Sequence, residues 1–175
     1  HEGVVGPGDV QWMTAGKGIL HSETPEQVAG LMHGFQLWIN LPAKNKLAKP
    51  TYQEVPSAQI PVLTSAEGHQ VKVIAGDWLE TTGPLHRPDT EPLYLDLQLQ
   101  NDTPLFVSIP AGHNAFVYVV QGQPLVAGQR IAPRRMAILS NDAQANGVLL
   151  QGQAGDQLLV LSGQPFSSRK PKKLR

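Results

Sequence analysis

The chain has 175 residues and 18.9 kDa, 41% hydrophobic and 16% charged, a composition that supports a packed core and argues against an unstructured chain. Its 14 basic and 14 acidic residues balance, which argues against a nucleic-acid grip over the whole surface. The absence of cysteine excludes disulfide scaffolds, zinc fingers and thiol nucleophiles, and no apolar run approaches the ~20 residues of a membrane-spanning helix.

Strand signals dominate from end to end, as 17 glycines and 15 prolines suggest. Pro7-Gly8-Asp9 reads as a turn, and Gly16-Lys17-Gly18 as another, too short for a phosphate loop. Phe35-Gln36-Leu37-Trp38-Ile39 alternates as a strand does. Pro42, Pro50, Pro56 and Pro61 punctuate a polar stretch read as a linker over 46–61, between a first unit at 1–45 and a second at 62–166. Leu93 to Leu99 alternates more cleanly, with Asp96 outward-facing. After the Pro110-Ala111-Gly112 turn, Ala115 to Val120, Val148 to Leu150 and Leu158 to Leu161 are three short apolar runs, with Asn141-Asp142 as a turn between the first two. Short strands at this spacing indicate a β-sandwich or barrel. The first unit is too small to stand alone. Five basic residues, Arg169, Lys170, Lys172, Lys173 and Arg175, crowd into 167–175, leaving the body with 9 basic against 14 acidic residues, a net of −5. The tail reads as solvated and disordered, with a nuclear-localisation or phosphate-binding role as the alternative.

Residues 7–16 (Pro-Gly-Asp-Val-Gln-Trp-Met-Thr-Ala-Gly), 18–23 (Gly-Ile-Leu-His-Ser-Glu) and 33–41 (His-Gly-Phe-Gln-Leu-Trp-Ile-Asn-Leu) carry a specific resemblance. Together with a looser match at 93–96 and 110–118, they resemble the pirins, bicupin proteins of two β-barrels. The resemblance covers about residues 3–166. It implies an all-β fold of two cupin-type β-barrels or jelly rolls. The family's first two iron-binding histidines lie in a His-x-His pair well upstream of the Pro-Gly-Asp turn, and His1-Glu2 does not substitute for it. The first barrel is therefore expected to be incomplete, and the chain a truncated relative.

His21 and Glu23 are two apart. On a strand, such residues face the same way, and in a barrel that face can be the interior. One imidazole and one carboxylate can then reach a single ion, a mixed donor set that suits non-heme Fe(II). The alternative is an ordinary pair of exposed strand residues. The pirin resemblance makes His21 and Glu23 the metal ligands of this segment. It implies Fe(II) as cofactor, a flavonol such as quercetin as substrate of a dioxygenase, and Glu23 as the nearest carboxylate to act as catalytic base. With two ligands of four, metal could be absent from this chain.

The remaining histidines and the tryptophans have plainer readings. His33 is expected to be structural and His113 to sit in a metal-free second barrel. His69 and His86 are expected in surface loops. Trp12, Trp38 and Trp78 would pack, or stack a flavonoid or a base. Two further functions compete with catalysis: a binding module for a transcription regulator or metabolic enzyme, and a metal-free remnant that forms a homodimer through its strand edges. No direct nucleic-acid or membrane partner is expected. With no recognisable secretory signal, a cytoplasmic location is the expectation, or a nuclear one for a eukaryotic source.

Overall fold

The computed structural model describes residues 3–166, and the basic tail lies outside them. Strands account for nearly all the regular structure. They are β1 (Val10–Thr14), β2 (Thr51–Val55), β3 (Val62–Thr64), β4 (Gln70–Ala75), β5 (Asp77–Trp78), β6 (Thr81–Thr82) and β7 (Leu93–Gln98). The series continues with β8 (Leu105–Ser108), β9 (Asn114–Gln121), β10 (Leu125–Val126), β11 (Gln129–Arg130), β12 (Met136–Ile138), β13 (Gly147–Gln151) and β14 (Gln157–Gly163). Two single-turn 3-10 segments, Ala43–Asn45 and Ser57–Gln59, are the only helical pieces among the described residues. None is long and apolar enough to cross a membrane.

Two antiparallel sheets face one another. The larger has the order β12-β9-β14-β7-β4-β3 and the smaller β11-β10-β13-β8. Alternation sets which side chains meet between them. Leu93, Leu95 and Leu97 of β7 are buried, as are Ala115, Val117 and Val119 of β9, while the residues between them face outward. Leu105, Val107, Val148 and Leu150 answer from the smaller sheet in one apolar cluster. β14 lies at the middle of the larger sheet and is buried on both faces, Leu158 and Val160 inward, Leu159 and Leu161 outward. Jelly rolls and cupin barrels have this two-sheet antiparallel architecture.

The proline-punctuated stretch expected as a linker carries β2, which pairs in register with β1 from Val10–Val55 to Thr14–Thr51. A second apolar cluster of Val55, Ile60, Ile74, Ala75 and Leu85 packs against Val10, Trp12 and Tyr94. It fastens the β1–β2 ribbon to the second unit. Two strands alone would be marginal in water, so this cluster is what keeps the ribbon folded.

The expected strand at 35–39 is not formed. Every residue from 20 to 40 is exposed, and none belongs to a strand. A strand exists only where a neighbour takes up its backbone N–H and C=O groups. No described strand pairs with this segment, so the apolar alternation has no ladder to enforce it.

His69, expected in a surface loop, is wholly buried. Its Nδ1 accepts from the Gln100 N–H at 3.1 Å, so its proton sits on Nε2, which donates to the Thr103 carbonyl at 2.8 Å. Its polar, glycine-flanked surroundings in sequence concealed a side chain that ties the β3–β4 turn to the β7–β8 loop.

Leu97→Ala opens a cavity in the middle of the main cluster and is expected to cost about 2–5 kcal/mol. A fall in the urea midpoint at unchanged slope measures it. The Tyr94 phenol is pushed up to about 12, by burial first and then by the Asp96 carboxylate. Unfolded tyrosine ionises near 10.0. The neutral phenol's contribution to stability is therefore complete below that pH and lost as pH rises through about 12. Ultraviolet titration should show one tyrosine ionising late, and Tyr94→Phe should remove that step.

Candidate functional site

The candidate site begins at the Pro7-Gly8 turn. Asp9 follows it, and its carboxylate accepts the Gly6 N–H at 2.9 Å and the Ser57 N–H at 2.7 Å. These two bonds, the Ser57 one foremost, hold the Asp9 carboxyl below the usual carboxylate range. The start of β1 is thereby pinned to the 3-10 turn that follows β2.

Within the ribbon, Trp12 is half-buried beneath the Arg87 guanidinium, 5.5 Å from its ring centroid. Arg87 also donates to the Gln53 side-chain oxygen at 2.8 Å. The same loop carries Asp89, which accepts from Asn45 at 2.5 Å and pairs with Lys44.

Past Thr14 the chain turns through Gly16 and leaves the ribbon. Lys17 donates its N–H to Ala48 at 3.0 Å. Gly16 has φ +53, and a Cβ there would collide with the Ala48 carbonyl. Only glycine combines that conformation with that approach.

His21 and Glu23 lie just beyond this turn. Both are exposed, neither belongs to a strand, and neither makes a hydrogen bond among the described residues. The expectation that a strand places them on one interior face is corrected: without a paired backbone, nothing imposes the two-residue repeat. The described residues contain no group of three or more histidines and carboxylates able to hold a metal ion. His21 and Glu23 supply one imidazole and one carboxylate, a donor pair of the kind that suits a first-row metal, and the described residues add no third donor to it.

The other sequence candidates fall elsewhere. His33 is exposed, its ring 5.2 Å from Phe35. Phe35 in turn meets Tyr118 of β9 edge-on at 5.5 Å, which docks the segment on the outer face of the larger sheet. His86 is exposed, as expected. Trp78 is buried, while Trp38 is 90% exposed, so the expectation of packing fails for that residue.

His113 lines a half-open cavity of about 270 Å³ between the sheets, with Ile109, Val126, Ile131, Leu139 and Val148 among its neighbours. Its side chain is nearly buried, with Nε2 3.4 Å from a Glu91 carboxylate oxygen and Nδ1 without a partner. Glu91 stands in left-handed backbone at φ 43. Sequence reading missed this pairing, because the two residues lie on separate loops with no spacing pattern to join them.

Comparison with known proteins adds to this geometry. Residues 1–39 match the family model described as Pirin, and residues 94–170 the one described as Pirin C-terminal cupin domain. A Pseudomonas aeruginosa protein named "Putative quercetin 2,3-dioxygenase" is 46% identical over 173 residues, covering 95% of this chain and 60% of the relative. A Thermoplasma acidophilum protein of the same name is 31% identical over 185 residues, covering 95% of this chain and 70% of the relative. The crystal structure of a quercetin 2,3-dioxygenase from Acinetobacter baumannii superposes with a TM-score of 0.78 at 30% identity, covering 94% of this chain and 58% of that one. The chain thus spans about three fifths of the first of these relatives' length.

The Asp9 staple has a pH signature. Its carboxyl is depressed on folding, so its contribution is complete above the unfolded value of 3.8 and lost as pH falls through the lower folded value. Asp9→Ala should lower the urea midpoint at neutral pH and flatten the loss of stability on acidification. An acid limb unchanged by the substitution would place the stabilisation elsewhere.

Proposed function

The chain belongs to the pirin family, and we propose from that membership that it serves a metal-dependent oxygenase of the quercetin 2,3-dioxygenase type, acting on a flavonol-like small molecule. His21 and Glu23 are two of the metal's donors in this reading. One observation carries it: His21 and Glu23, an imidazole and a carboxylate two residues apart, lie within the span matched by the Pirin model, with both donor groups left accessible. The names of the relatives support the reaction class and the kind of substrate.

The donor chemistry supports Fe(II), since imidazole with carboxylate suits non-heme iron. Two donors alone bind a first-row divalent ion weakly, so the remaining coordination positions must be filled from outside this pair. Glu23, as the carboxylate of that pair, is the candidate base. A second reading has its own observation in support. The same segment exposes a broad apolar surface, which suits a binding module that docks on a protein partner without catalysis.

Anaerobic titration with Fe(II), followed spectroscopically and by retained iron, separates the readings. His21→Ala and Glu23→Gln are each expected to weaken binding at least tenfold. Equal affinity in the variants and the unaltered chain would remove the assignment. Quercetin consumption under O₂ that tracks iron occupancy supports the oxygenase. Iron bound through His21 without consumption favours the binding module.

A further inference from the structure

The space between the two sheets is filled unevenly. Near the β7–β8 connection, Leu97, Leu99, Leu105 and Leu158 are buried and close it with large side chains. At the opposite end, where β9 and β13 begin, the walls carry Gly112, Ala115, Ala127, Ala137, Ala145 and Gly147. Small residues there leave the half-open cavity of about 270 Å³. The strands β9, β10, β12 and β13 that enclose it are each paired within their sheets, so the cavity belongs to the folded two-sheet body itself. Protein interiors hold few voids larger than a water molecule. Small-molecule sites span about 300–1,000 Å³, so a cavity just under that range suits a compact ligand.

Its chemistry narrows the ligand. Ile109, Val126, Ile131, Leu139 and Val148 give apolar walls, and His113, Gln129 and Asp142 add polar groups. The His113 side chain is 7% exposed, and its Nδ1 is buried without a partner. A buried imidazole nitrogen left in that state is costly, and buried polar atoms are normally bonded. Glu91 stands in left-handed backbone at φ 43, with a carboxylate oxygen 3.4 Å from Nε2. Non-glycine residues in that conformation gather at ligand sites. The carboxylate draws the ring proton to Nε2 and leaves Nδ1 with a lone pair.

That lone pair calls for a donor. Among the described residues lining the cavity there is no lysine or arginine, while Asp142 lines it and Glu91 stands behind His113. Two negative charges disfavour a carboxylate or phosphate ligand. An ammonium would give up its hydration among apolar walls to reach Nδ1. A neutral hydroxyl donates to it at the least cost.

We propose that this cavity binds a compact, uncharged ring compound, a single six-membered ring with a short hydroxyl-bearing substituent. The hydroxyl donates to His113 Nδ1, and the ring lies among Ile131, Leu139 and Val148. The site needs neither His21 nor Glu23 and is independent of the oxygenase reading.

Benzyl alcohol, benzylamine and benzoate share a shape and differ in charge, which makes them the probes. Each is titrated into the metal-free chain and followed by methyl and imidazole-nitrogen magnetic resonance. Benzyl alcohol is expected to shift the His113 Nδ1 signal and the methyls of Ile131, Leu139 and Val148 saturably. The methyls of Leu159, on the other face of the larger sheet, should stay still. Benzylamine and benzoate should each bind at least tenfold more weakly. His113→Phe keeps a ring without the lone pair and should weaken benzyl alcohol binding at least tenfold. Ala137→Phe fills the cavity and should abolish it. Slow amide exchange in β7, β9 and β14 of both variants shows that the two-sheet body is intact. No saturable shift with benzyl alcohol overturns the proposal. Equal affinity for the three probes overturns it as well, since the cavity then selects nothing. Affinity unchanged in His113→Phe removes the anchor and overturns it equally.

Discussion

A β-strand needs a neighbour, and that requirement divides this molecule. From Thr51 to Gly163 most strands have partners, and β14, flanked by β9 and β7, is buried on both faces. From 20 to 40 the backbone joins no strand among the described residues, and every residue is exposed whatever its polarity. Both segments contain alternating apolar residues. What separates them is whether a second strand takes up the peptide groups, because an unpaired strand gains too little from side-chain burial to offset the entropy of ordering it.

The same requirement explains what could be read from sequence. The alternation from Leu93 to Leu97 and the apolar runs in β9, β13 and β14 announced strands that do form, each with a partner close in the fold. Phe35 to Ile39 carries as clear a pattern and stays irregular, because a pattern states what a segment can do and not who stands beside it. β1 and β2 were hidden by the opposite effect. Neither alternates strongly, and their pairing rests on Val55 and Ile60 reaching a cluster built by the second unit.

Polar residues show a similar split. The family resemblance led to His21 and Glu23 by position, and both stand open. His69 looked like surface in its local sequence. Only the folded loops reveal that both its ring nitrogens are engaged, one accepting and one donating. The meeting of His113 and Glu91 was illegible for the same reason, since it depends on two loops converging at one end of the sheets. Local spacing exposes chemistry carried by neighbouring residues on one segment, and chemistry assembled across loops leaves no such trace.

The Gly16 turn has a consequence for how the molecule tolerates change. Lys17 is bonded to Ala48, and the β1–β2 pairing begins beside that bond, so the ends of the intervening stretch are already held together. Closing a loop costs entropy that rises only with the logarithm of its length, about 0.6 kcal/mol per doubling. The stretch from Gly18 to Leu47 is therefore a graft point. A change of length there that spares His21, Glu23 and the Phe35–Tyr118 contact costs the fold little.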